Sequence, residues 1–112
     1  MKTKKEIRQS WKEKIEEAFL YANGHATRKE KQEYIEGLAG LIKELQPGMP
    51  KYSKVAEVLE RRAPDLALLA HEIHAQDTEA SLKSRMKSVM YLRNKGYEIK
   101  PLEKKVYINS DK

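Results

Sequence analysis

The 112-residue sequence predicts a mainly α fold: an N-terminal helical hairpin, three further helices, and a two-stranded β-hairpin at the C-terminus. Three observations lead there. Residues 1–46 hold two apolar stripes at helical spacing, each opened by a Thr-x-x-Glu signal. Residues 53–95 continue in helical text, cut by Pro64 and by the polar stretch around Asp77. After Gly96 the period changes. Tyr97 and Ile99 alternate with Glu98 and Lys100, Val106 and Ile108 flank Tyr107, and Glu103-Lys104-Lys105 makes a charged corner between them.

Each element follows from a local signal. In Thr3-Lys-Lys-Glu6 a hydroxyl and a carboxylate can each satisfy an orphan backbone N–H, so the first helix starts there. Its stripe is Ile7, Trp11, Ile15, Ala18, Phe19 and Ala22, and Asn23-Gly24 ends it through the left-handed conformation both residues tolerate. Thr27 and Glu30 repeat the opening signal. The second stripe is Tyr34, Ile35, Leu38, Leu41, Ile42 and Leu45, and "QPGMP" stops it. Gly37 and Gly40 lie inside this helix and are read as points of close helix packing. Ser53 is the expected cap of a short helix ending before Pro64, and Asp65 that of "LALLAHEIHA". Asp77 or Thr78 should open a long helix over 78–95, which Gly96 closes. The whole reads as one compact domain, 1–112, with a helical hairpin over 1–46 and a second unit over 52–109.

Composition narrows the function. There is no cysteine, which removes disulfides and thiolate metal sites and makes the cytoplasm the simple setting. No stretch has the length and apolarity of a signal peptide or a membrane span. The net charge of +6 is unevenly placed. Residues 1–46 carry 10 Lys/Arg against 8 Asp/Glu, residues 47–77 carry 4 against 5, and residues 78–112 carry 9 against 4. A basic excess confined to the last third points to a polyanion, with a merely solubilising surface as the bland alternative.

The order from residue 52 is short helix, short helix, tight turn, long helix, strand, basic corner, strand. With "LAHEIHAQDTEASLKSRMKSVMYLRNKGYEI" and "KKVYI", it resembles the winged helix-turn-helix superfamily over residues 52–109. Ala70 fits the small residue where the two helices cross. Leu82, Met86 and Val89 fit the apolar positions that hold the recognition helix to the core, and Leu92, Arg93, Gly96, Tyr97 and Ile99 fit the run that closes that helix and opens the wing. The chain departs from the family at the turn, where His74 replaces the usual Gly and "HAQDTEAS" is a residue or two longer. The resemblance implies a small DNA-binding protein, a sequence-specific transcriptional regulator. Its helix around 78–95 would read the major groove, and its wing, 97–108, would grip the backbone. Its small size also resembles regulators carried by phages, viruses or mobile elements.

Helical winding supports this reading separately. At about 100° per residue, Leu82, Met86, Val89 and Met90 share one side. Lys83, Lys87, Tyr91 and Lys95 line the opposite side, with Ser84 and Ser88 beside them. Ser81 and Arg85 complete the helix's candidate DNA contacts, and Lys100, Lys104 and Lys105 are those of the wing. Serines can reach base edges or phosphates, and lysines can neutralise phosphates or reach guanine. An ordinary solvated lysine face is the competing reading of the helix, and edge-strand protection that of the hairpin.

Other chemistry is weaker. "HEIH" sets His71 and His74 three apart, which is not the H-E-x-x-H spacing, and His25 is the only other histidine, so packing histidines are expected rather than a metal site. There is no nucleophile elbow and no glycine-rich phosphate loop, so no enzyme, cofactor or small-molecule ligand is expected. The expected partner is double-stranded DNA, with a homodimer through the N-terminal helices as a further possibility and no membrane partner. The chief rival is a protein-interaction module, an adaptor or inhibitor of a polymerase or nuclease. RNA binding would need stacking aromatics, and Tyr91, Tyr97 and Tyr107 are few.

Overall fold

The computed structural model describes residues 3–98. Over them the chain forms five helices: α1 (Lys4–Asn23), α2 (Arg28–Leu45), α3 (Lys51–Arg62), α4 (Pro64–Ala75) and α5 (Leu82–Asn94). There is no strand among the described residues, which corrects the expected fold class: the described architecture is all-α, not helices completed by a β-hairpin. Tyr97, where the first strand was expected to begin, is tied instead to the end of α5. Residues 99–112, with Lys100, Lys104 and Lys105, lie outside the described residues.

The first two helices begin where the sequence says. Thr3 and Thr27 each accept a backbone N–H, from Glu6 and Glu30, while those glutamates accept the cap residues' own N–H groups at 2.8 Å. Helix α1 ends at Asn23, but for a different reason than expected. Gly24 is extended, with φ −92°, rather than left-handed. What demands glycine there is the Leu20 carbonyl, whose oxygen would lie 2.6 Å from an added Cβ.

Helix α3 begins two residues before the expected cap. Pro50 sits at its N-cap with φ −65° and no side-chain cap, so Ser53 lies within the helix. Helix α4 starts at Pro64, where a missing N–H costs nothing, rather than being capped by Asp65. Helix α5 starts four residues late. Asp77 accepts the Glu79 N–H in a local turn, Ala80 is buried, and Ser81 becomes the cap by accepting the Ser84 N–H at 3.1 Å. The long helix over 78–95 therefore shortens to thirteen residues. At its far end Gly96 takes φ +93°, its N–H donates to Arg93 O, and the Tyr97 N–H donates to Leu92 O at 2.9 Å. This paired closure leaves glycine as the residue that fits position 96.

One core joins the hairpin to the rest. Ile15, Ala18, Ile35, Leu38 and Ile42 from α1 and α2 lie in one cluster with Val55, Leu59, Leu66 and Ala70 from α3 and α4. The N-terminal hairpin thus packs in cis. Tyr34 stacks on Tyr21 with ring centroids 4.4 Å apart, and its hydroxyl donates to the Lys14 carbonyl, locking α2 to α1. Phe19, expected on the core stripe, is 63% exposed, because the core face of α1 runs through Ile7, Ile15 and Ala18. Among the described residues no helix is long and apolar enough to cross a membrane.

The α2 glycines do not mark close packing. Both are exposed; a Cβ at Gly37 would meet only the Lys14 side chain at 3.8 Å, and one at Gly40 would meet nothing within 4 Å. Glycine inside a helix costs about 0.5–1 kcal/mol relative to alanine. The double change Gly37→Ala/Gly40→Ala is therefore expected to raise stability by about 1–2 kcal/mol, seen as a Tm several degrees higher. An unchanged or lower Tm would mean that something needs these positions bare.

Candidate nucleic-acid interface

Helix α5 differs from the others in charge. Its thirteen residues, LKSRMKSVMYLRN, contain four cations and no carboxylate, whereas α1, α2 and α3 each mix both signs. The carboxylates before it, Asp77 and Glu79, stay in the turn, so the cationic surface begins at Lys83.

The rotation of α5 is not the expected one. Arg85, Ser88, Val89 and Leu92 face inward, each 2% exposed or less. Leu82 and Met90 are each 51% exposed, and Met86 is partly covered. The side expected to hold the helix to the core therefore contributes only Val89 fully. The physical reason lies on α4, which presents His71 and His74 to α5. A buried imidazole without partners is costly, so α5 turns polar residues toward it.

His71 is buried between three groups. Its Nδ1 lies 2.7 Å from Ser88 Oγ, its Nε2 lies 2.7 Å from Glu60 Oε2 on α3, and its ring stacks on Tyr91 with centroids 4.0 Å apart. The carboxylate accepts only, so Nε2–H donates to Glu60 and the Ser88 hydroxyl donates to Nδ1. His74 places Nε2 2.9 Å from Ser84 Oγ and 3.1 Å from Ser84 O, which makes Nε2–H the donor to the carbonyl. Burial lowers the pKa of both imidazoles, opposed at His71 by Glu60 and at His74 chiefly by the bond to Ser84. Both are therefore neutral near pH 7. Glu60, His71 and Ser88 form an acid–imidazole–hydroxyl chain, but Ser88 is buried and offers no substrate a way in. The chain is a docking device between α3, α4 and α5.

The candidate contacts thus divide. Lys83 and Lys87 are exposed on the solvent side of α5, and Lys95 is exposed just past its end. Ser81 is exposed, but its hydroxyl is occupied as the cap. Ser88 and Arg85 are buried, each 1% exposed, so they face the interior rather than solvent, while Ser84 and Tyr91 are half-buried and engaged with the two histidines. Lys95 Nζ lies 5.5 Å from the Tyr91 ring centroid, so the row Lys83, Lys87, Tyr91, Lys95 starts in solvent and slides toward the α4 interface. Arg93 is exposed in the same angular sector as Leu82 and Met86, at the far end of the helix, and joins the cationic face, although sequence reading assigned it only to the helix closure. Its angular neighbourhood carries that signal once the inward face is known.

Other chemistry is sparse. No group of three metal-ligating side chains is assembled among the described residues. An open cleft of about 280 Å³ is lined by Arg28, Lys31, Leu68, Glu72, Leu92 and Tyr97 among others, and the Arg28–Glu72 ion pair, 2.5 Å, ties α2 to α4 there. Comparison with protein-family models, with characterised proteins and with solved structures finds no match for this chain, so its function has to be argued from α5 and its surroundings.

Proposed function

We propose that this protein binds double-stranded DNA through the exposed face of α5 and acts in the cytoplasm as a small transcriptional regulator. The observation that carries the reading is the charge of α5: Lys83, Lys87 and Arg93 project from a helix with no carboxylate, and Lys95 extends the face past its end. A helix of this kind, held at its back by α4 and exposed at its front among the described residues, has the shape and charge for a major groove. Regulation would follow from occupancy, since a bound protein blocks or recruits polymerase. The core face of the N-terminal hairpin is used in cis, so a homodimer would need the hairpin's outer face, such as that of the exposed Phe19 and Leu20 on α1.

A second reading has one observation of its own. Leu82 and Met90 are half-exposed on the same face, and apolar side chains in solvent also suit a protein partner. Selection of random duplexes against the full chain at two salt concentrations separates the two. DNA reading predicts an enriched motif whose binding weakens steeply with salt. Four phosphate contacts correspond to about a hundredfold loss over a fourfold rise in salt. A two-fold symmetric motif would identify a dimer. No enrichment at low salt would leave the protein-partner reading in place.

A further inference from the structure

The row Leu82, Met86, Met90 runs along α5 at intervals of four, so it drifts slowly around the helix and extends over about 12 Å. Lys83 and Lys87 form the adjacent row, and Arg93 projects in the same angular sector just past Met90, at the far end of the helix. The face therefore joins an apolar strip to cations, with no carboxylate on the helix. That charge argues against a second copy of α5 as its cover, because two such faces would set lysines against lysines. It favours a polyanion with an apolar group within reach of its phosphates.

Duplex DNA has one such group in the major groove. Guanine, cytosine and adenine present only donors and acceptors there, while thymine presents its C5-methyl. Leucine and methionine side chains set against donors and acceptors would strip them of water and return no hydrogen bond. Against thymine methyls the same side chains bury apolar surface on both sides. RNA offers neither feature, since uracil lacks the methyl and the A-form major groove is too narrow for a helix.

We infer that Leu82, Met86 and Met90 read thymine C5-methyl groups, so that the protein takes thymine-bearing B-form DNA and discriminates against uracil-containing DNA and RNA. This rests on the DNA reading of α5 and specifies its substrate. Lys83 and Lys87 supply sequence-independent attraction to phosphates, and the apolar row supplies the preference.

The test compares a fluorescent duplex of A·T pairs alone with the same duplex carrying deoxyuridine for thymidine, titrated with the full chain at low and moderate salt. Each methyl lost is worth about fourfold in affinity, so contact with two predicts a thymine preference of roughly tenfold or more. Leu82→Ala/Met90→Ala should bring the thymine duplex down to the level of the uracil duplex. Both side chains are half in solvent, so an unchanged Tm confirms that this variant folds. Salt-sensitive binding with equal affinity for the two duplexes overturns the inference and leaves the DNA reading standing. A thymine preference that survives in the double variant also overturns it, because the methyls are then sensed elsewhere. If the wild-type chain binds neither duplex at low salt, the DNA reading fails and the inference falls with it, leaving the row as a seat for a protein partner.

Discussion

Reversing Lys83 and Lys87 to glutamate is expected to weaken duplex binding by on the order of a hundredfold or more at moderate salt, and to leave stability within about 0.5 kcal/mol. Both side chains are exposed, and neither has a partner among the described residues that the reversal would break. The two changes remove two phosphate contacts and put two repulsive charges in their place. The log–log salt slope of binding should become shallower by about two. The loss should be similar across DNA sequences, since phosphate contacts position a protein without reading bases. A double variant that binds as wild type does would remove α5 from the interface, and with it the function proposed above.

His71→Ala should cost about 2–4 kcal/mol, measured as a fall in Tm of roughly 10 °C or more. The change strands the Ser88 hydroxyl, takes the hydrogen-bond donor away from Glu60, and removes the ring on which Tyr91 stacks. Acid should have a related effect. Burial holds the pKa of both His71 and His74 below the ordinary value of 6.5. Between that value and their folded-state values the unfolded chain binds more protons than the folded one. Stability is therefore complete above about pH 6.5 and declines as pH falls below it, by up to about 1.4 kcal/mol per pH unit for each imidazole. Charging them is opposed from more than one side: burial acts on both, and Arg85 and the neighbouring imidazole act on His74, while Glu60 favours the cation at His71 and Asp77 favours it at His74. Urea denaturation of wild type and His74→Gln from pH 7.5 to 5 measures this, and the variant's profile should be flatter. Equal slopes would show that the acid sensitivity resides in the carboxylates instead.

These two expectations concern opposite sides of α5, and only one side was legible in the sequence. Lys83 and Lys87 stand in solvent as the pattern of fours suggested. The inward side was misread because the rule that apolar residues face the core assumes an apolar surface to receive them. Here α4 offers two imidazoles. Ser84, Ser88 and Arg85, which look like groove contacts when the helix is wound alone, turn inward, while Leu82 and Met90 turn out. Neither His71 nor His74 signals from its local sequence that its partners lie ten and seventeen residues away.

The sequence by itself determined the local punctuation of this protein. Thr3 with Glu6, Thr27 with Glu30, Pro64 and Gly96 set helix ends because capping bonds, a missing N–H and a left-handed backbone act within a few residues. It also determined the run of cations from Lys83 to Lys95, whereas the cap at Ser81 is what leaves Glu79 outside α5. Tertiary structure decided what depends on neighbours distant in the chain. It placed the hairpin in cis, left Gly37 and Gly40 facing solvent, and closed α5 with Tyr97 where a strand was expected. It also fixed the rotation of α5, because burying an imidazole requires a partner, and only packing brings that partner within reach.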